Sequence, residues 1–223
     1  LSSSLLSEVP EKSSTPVAAR IPTVPPTPKR KARIIAIILT APLFFGGLLF
    51  SILTLFCTPL PQDGNAKPRC FRVPGDKALI NRFGINNKGV LNAVEHLKKT
   101  RPEGIVAANI SKNTTSINED AAKDYEKGFG LLYDFVDMFV INISCPNVVG
   151  LTALQDISFL SEIVDKLLDL RMYYDNYRPI LLKVSPDLSH QQLDEIIDYC
   201  LRSGIDGIVA GNTTRSRDGL TID

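Results

Sequence analysis

The 223 residues carry 25 basic and 24 acidic side chains, a net charge of +1, so nothing in the overall charge points to nucleic acid. The length suits one catalytic domain with a tail. Cys57, Cys70, Cys145 and Cys200 form no CxxC pair and have no His at ligand spacing, which argues against a zinc site or disulfide framework and makes a reducing compartment the default.

The charge is uneven along the chain. Residues 1–33 hold six basic and two acidic groups, leaving 19 and 22 for the remainder. Fifteen of the first 28 residues are Ser, Thr or Pro, a composition that buries too little apolar area to offset its ordering entropy, so 1–33 reads as a disordered tail ending in a basic cluster. Residues 34–62 contain no charge. Within them 34–57 is strongly apolar and, at 1.5 Å per helical residue, about 36 Å long, which predicts one transmembrane helix. The basic cluster places the N-terminus on the cytoplasmic or matrix side of a bacterial or mitochondrial inner membrane, single-pass, with the Ser/Pro-rich start a weak transit peptide.

Beyond the span, helices and strands alternate. Residues 88–99 place Val90, Val94 and Leu97 on one helical face; 121–135 and 157–174 are further helices. A fourth starts at Ser189, with Gln192 at capping-box spacing. Between them lie four apolar runs, each ending in a polar side chain: Gly104-Ile-Val-Ala-Ala-Asn109, Met138-Phe-Val-Ile-Asn142, Ile180-Leu-Leu-Lys183 and Gly207-Ile-Val-Ala-Gly-Asn212. Parallel strands covered on both faces read this way. The gaps of 33, 41 and 29 residues fit one strand plus one helix each. The fold class is therefore α/β, a partial (β/α)8 barrel over 58–223 with its site at the strand C-termini, short of a complete barrel of roughly 250 residues.

The segment Asn142-Ile-Ser-Cys-Pro-Asn147 is the densest candidate site. Carboxamides present donor and acceptor side by side, matching the edge of a pyrimidine or flavin ring, and Pro146 stiffens the loop. The alternative is a structural Asn-Pro turn with an inert cysteine. Lys183 closes an apolar strand, where an ammonium is costly unless it meets an anion; otherwise its amine reaches the barrel rim. Asn212 and Thr213 add an amide and a hydroxyl. Arg82, in the loop Asn81-Arg-Phe-Gly-Ile85, is a substrate contact or a surface ion-pair partner. His96 and His190 lie on predicted helices facing solvent. Asn109, Asn113, Asn142 and Asn212 all begin N-x-Ser/Thr triplets, and three of them are strand ends where a glycan would plug the site, so they read as unglycosylated ligand positions.

These residues, in this order, resemble the dihydroorotate dehydrogenases, and more closely the membrane-associated, quinone-reducing class. The resemblance is carried by Asn65-Ala-Lys-Pro-Arg69 with Phe71-Arg72, Ile80-Asn-Arg-Phe-Gly-Ile-Asn-Asn87, Asn109-Ile-Ser-Lys-Asn113, Asn142-Ile-Ser-Cys-Pro-Asn147, Lys183-Val-Ser-Pro-Asp187 and Ile205-Asp-Gly-Ile-Val-Ala-Gly-Asn-Thr-Thr214, and covers 58 to about 220. It implies FMN held by Asn109, Asn142, Lys183 and the Gly211 position. It also implies dihydroorotate or orotate held by Asn81, Arg82, Phe83, Gly84, Ile85, Asn142, Asn147, Asn212 and Thr213. Cys145 falls at the catalytic base, which takes a proton from C5 of dihydroorotate while hydride leaves C6 for the flavin. Quinone and membrane lipid are the implied partners, and no metal or nucleic acid is expected.

Three departures stand out. Cys145 occupies a position where the quinone class has Ser and the soluble class Cys. That leaves a soluble electron acceptor as an alternative and predicts activity rising with pH as the thiolate forms. Gly211 replaces an expected Thr. Finally, 34–57 joins directly onto Thr58-Pro-Leu-Pro, where the family places a quinone-site helical pair, the first barrel strands and a flavin-contacting Lys, and the phosphate-cradling loops are not present. The expectation is a fragment that alone neither binds FMN tightly nor turns over, the alternative function being a membrane-anchored, catalytically incompetent remnant.

Overall fold

The computed structural model describes residues 44–45, 48–49, 52–100, 102, 104–147 and 150–221. Its centre is a five-stranded parallel sheet. Two short antiparallel strands come first, β1 (Phe44–Phe45) and β2 (Leu48–Leu49). The parallel sheet then runs in chain order through β3 (Ile52–Cys57), β6 (Ile105–Ile110), β7 (Met138–Asn142), β8 (Ile180–Val184) and β9 (Gly207–Ala210). An antiparallel hairpin, β4 (Cys70–Val73) with β5 (Ala78–Asn81), is inserted after β3.

Helices α1 (Gly89–Thr100), α2 (Ala121–Leu132), α3 (Ile157–Arg171) and α4 (His190–Ser203) make the crossovers. α1 packs on α2, α2 on α3 and α3 on α4. Consecutive strands adjacent in space, with helices in the same order outside them, form an arc of a (β/α) barrel. The four predicted helices and the four predicted strands are all present. α3 stops at Arg171, three residues before its predicted end. Ser189 caps α4 with both halves of the capping box formed.

The transmembrane helix predicted over 34–57 is corrected in its last part. Ile52–Cys57 is a strand whose six residues each pair with β6, and β1 and β2 also lie inside the predicted span. Uninterrupted apolar composition suits a sheet strand as well as a bilayer, and here the neighbouring β6 satisfies the backbone. The remainder of that span up to residue 43 and the tail 1–33 lie outside the described residues. Among the described residues, no helix is long and apolar enough to cross a membrane. The same strand supplies a barrel rung that the sequence reading took to be missing.

Strand alternation sorts the sheet into two faces. Toward the helices point Cys57, Val106, Ala108, Ile110, Phe139, Ile141, Ile180, Leu182, Val184 and Ile208, joined in one core with Val90, Val94, Leu97, Tyr125, Phe129 and Leu167. The opposite face carries a small cluster of Val140, Leu181 and Val209 with Met138 against it. In the same parity as that cluster stand Asn109, Asn142 and Lys183, since Asn109 pairs with Val140, and Asn142 with Lys183, which pairs in turn with Val209. The polar residues thus crown the inner apolar plug.

At the other end of the sheet two aspartates anchor the strand entries. Asp137, just before β7, accepts from Val106 N of β6 at 2.8 Å. Asp206, just before β9, accepts from Ile180 N of β8 at 2.8 Å and from Arg171 Nη1 at 2.6 Å, while Arg171 also lies over the Tyr177 ring at 4.6 Å. Each carboxylate satisfies a donor that the ladder leaves open. Asp206→Ala strands both Arg171 and the Ile180 N–H, so unfolding in urea should show a loss of about 2–3 kcal/mol.

Candidate active site

The inner crown begins with Asn109 on β6. Its side chain is 1% exposed, yet neither Nδ2 nor Oδ1 has a hydrogen-bond partner. Leaving both ends of a buried amide unpaired costs several kcal/mol in total, on the order of 1–3 for each end, and such a group marks a place where a ligand completes the bonding. Among the described residues, the only other buried side-chain atom without a partner is Arg178 Nε, on the loop before β8.

Asn142, two positions further along the inner face of β7, is held on three sides. Its backbone carbonyl accepts from Tyr125 Oη at 2.9 Å and Ser111 Oγ at 3.2 Å. Its Oδ1 accepts from Ser144 N at 3.4 Å and Ser144 Oγ at 3.3 Å. Lys183 is the register partner of Asn142. Burial pulls its ammonium below the ordinary lysine range, with the charge of Cys145 as thiolate acting against that, and among the described residues it has no carboxylate within ion-pair distance.

Cys145 follows on the β7 loop, partly buried. Burial pushes its thiol up from the ordinary range; the backbone N–H of Asn147 and the Lys183 ammonium oppose that rise. Thiol and ammonium therefore share one site. At its lip, Asn147 Nδ2 donates to Asn81 Oδ1 at 3.0 Å, and Asn65 Nδ2 donates to the Asn147 carbonyl at 3.1 Å. The open end of the β4–β5 hairpin, with the segment leading into it, is thus docked onto the β7 loop.

Between Asn81 and the first helix the backbone is unusual. Gly84 (φ 73°) precedes Ile85 (φ 52°), a β-branched residue in the left-handed region, where side chains of that shape are strained. Gln62 Nε2 fixes the pair by donating to both carbonyls, at 3.1 and 3.0 Å. Arg82 is exposed, and among the described residues it makes no ion pair; its backbone N–H donates to the Arg69 carbonyl at 2.8 Å. Phe83 is 43% exposed.

Beyond β9, Asn212 Nδ2 donates to the Ser144 carbonyl at 2.7 Å and to Ser144 Oγ at 2.9 Å, and its Oδ1 accepts from Thr213 N at 2.9 Å. The structure brings the Nδ2 end of Asn212 to the β7 loop, while its Oδ1 is engaged by the next residue of its own loop. The Thr213 side chain is exposed. Gly211 sits at φ 130° with open space around a would-be Cβ; the backbone conformation, not crowding, disfavours the Thr expected there.

Other residues sort away from the site. Asn113 is 3% exposed, accepting from Leu60 N and donating to Leu60 O, both at 2.9 Å, which is a structural clamp. His96 and His190 are exposed on α1 and α4. Sequence reasoning assigned no role to Tyr125, Ser111, Asn65, Gln62 or Ser144. Ser111 and Ser144 left a signal, each standing two residues past a strand-end Asn in the alternation.

Comparison with known proteins bears on what this crown is for. The family model described as dihydroorotate dehydrogenase matches residues 47–223. This chain belongs to the dihydroorotate dehydrogenase family. Relatives named dihydroorotate dehydrogenase (quinone) include those of Coxiella burnetii, 46% identical over 166 residues (73% of this chain, 48% of that protein), and Thermus thermophilus, 45% identical over 166 residues (73% and 46%). The crystal structure of the Eimeria tenella dihydroorotate dehydrogenase in complex with ferulenol superposes with a TM-score of 0.69 at 29% identity. That match covers 74% of this chain and 51% of that one. The chain spans about half the length of the curated dihydroorotate dehydrogenases it matches.

Proposed function

We propose that the chain acts in FMN-dependent oxidation of dihydroorotate with electrons passed to a quinone, in pyrimidine biosynthesis. The observation that carries this reading is the unpartnered, buried amide of Asn109 beside Asn142 and Lys183, within a chain of this family. A planar ring whose edge alternates N–H and C=O offers both partners that Asn109 lacks. The residues fit FMN: Asn109 and Asn142 would hold its ring edge, and the Lys183 ammonium would supply the positive charge beside it. FMN, when bound, supplies the two-electron acceptor for the hydride leaving C6 of dihydroorotate.

The chain's own groups do the rest. Asn81, Asn147 and the loop through Ile85 close one side of the substrate, and Asn142 the other. Cys145 Sγ, as thiolate, takes the C5 proton. Lys183 favours that thiolate by its charge and depends on burial for its effect, since the inner plug of Val140, Leu181 and Val209 keeps water from screening it. The quinone part follows the Coxiella burnetii and Thermus thermophilus relatives, which are dihydroorotate dehydrogenases (quinone).

The test is direct. The purified chain, titrated with FMN, should quench flavin fluorescence, and orotate should then shift the visible flavin bands. A chain that leaves FMN emission unchanged overturns the reading. A ubiquinone analogue reoxidising the reduced chain supports the quinone part; reoxidation by fumarate or NAD alone overturns it.

A further inference from the structure

Asn142 is an amide whose two ends look alike in shape and opposite in chemistry, so something must decide which end faces the ligand. Ser144 N–H can only donate, and it points at one end of that amide at 3.4 Å. That end must therefore be Oδ1. The Ser144 hydroxyl has a single proton. It accepts from Asn212 Nδ2 at 2.9 Å, which leaves the proton free for Asn142 Oδ1 at 3.3 Å. The three groups run in one direction, from the Asn212 amide through the Ser144 hydroxyl to the Asn142 oxygen, with Ser144 fully buried. Asn142 Nδ2 is then turned away from this chain of bonds and makes none of its own among the described residues.

We infer that Ser144 is a positioning residue that sets the polarity of Asn142, so that the site offers an NH2 donor and selects a ligand atom that accepts. It also makes Asn212 a latch between the β9 and β7 loops. The inference deepens the function proposed above and rests on it for the ligand, but the orientation of Asn142 stands without any ligand. Burial sharpens the effect, because a wrongly turned amide at a site 2% exposed would set Oδ1 against the ligand's acceptor with no water to intervene.

Two arms test it on the full chain, with Ser144→Ala and with Ser144→Cys, which keeps a weak donor and nearly the same volume. In the ligand-free chain, the NMR signals of the Asn142 side-chain amide, assigned by their loss in Asn142→Asp, should move in Ser144→Ala and move less in Ser144→Cys. An unmoved Asn142 signal overturns the inference whatever happens to binding. On the FMN-loaded chain, dissociation constants are compared for orotate and for the two analogues in which an exocyclic amine replaces one ring carbonyl oxygen. Ser144→Ala should narrow the preference for orotate over at least one analogue by about tenfold, roughly the worth of one hydrogen bond in a buried site. Equal weakening of all three ligands overturns it, because that is what a merely structural serine would do. If orotate and FMN fail to bind the parent chain, the proposed function falls, and the NMR arm still decides the role of Ser144.

Discussion

Cys145→Ala is expected to slow dihydroorotate oxidation roughly a hundred- to ten-thousand-fold, the usual worth of a positioned general base, while leaving orotate affinity within a few fold. The pH dependence separates this from a packing effect. Only the thiolate accepts a proton, and burial raises the thiol's pKa. Below that pKa the thiolate fraction grows with pH, so the rate of the proton-abstraction step should climb about tenfold per unit. The climb should pass the range where an unperturbed thiol levels off, because the folded site favours the neutral form. The Lys183 ammonium works the other way. Lys183→Met should therefore move the whole profile to higher pH, and Cys145→Ser should flatten it. Single-turnover rates from about pH 6 to about pH 11 provide the measurement; a flat profile for the parent chain removes Cys145 from the role of base.

Much of this was legible in the chain before any coordinates. Apolar runs ending at Asn109, Asn142 and Lys183 gave away three buried parallel strands, because a strand covered on both faces leaves no polar alternation until it reaches the rim. The Ser189 and Gln192 capping pair located the start of α4 to the residue. Ile52–Cys57 failed for the converse reason. Its strand is embedded in a longer uncharged stretch, and within such a stretch hydropathy alone cannot distinguish a bilayer from a neighbouring strand. The site divided along the same line. Rim residues were visible as breaks in a pattern, whereas their supports were not: Tyr125 lies 17 positions before the carbonyl it serves and Asn212 lies 68 after Ser144. Contacts at that separation are set by the crossovers, and no local spacing encodes them. The Asn212 amide also shows that membership of a motif does not say which atoms the packed loops engage, since both protons of its Nδ2 go to Ser144.

Phe129→Ala should remove about 3–5 kcal/mol of stability, the usual cost of emptying a buried aromatic site, with the midpoint in urea lowered and the m-value unchanged. The ring is completely buried on α2, with its centroid 4.4 Å from Phe139, 5.1 Å from Tyr133 and 6.3 Å from Tyr174. Tyr133 and Tyr174 stack at 3.7 Å around the same point, so the cavity cannot close by the shift of one neighbour. Phe129→Leu keeps most of the volume and should lose about 1–1.5 kcal/mol; a loss below that for the alanine variant would mean the cluster collapses freely. The consequence reaches the site by two short routes. Tyr125, one helical turn before Phe129, holds the Asn142 carbonyl, and Phe139 lies three residues before Asn142 on β7. A cavity between α2 and β7 therefore loosens both supports of the same strand end. At denaturant concentrations where the alanine variant is still folded, its orotate affinity should already be weaker than that of Phe129→Leu, tying the aromatic core to the amide it holds in place.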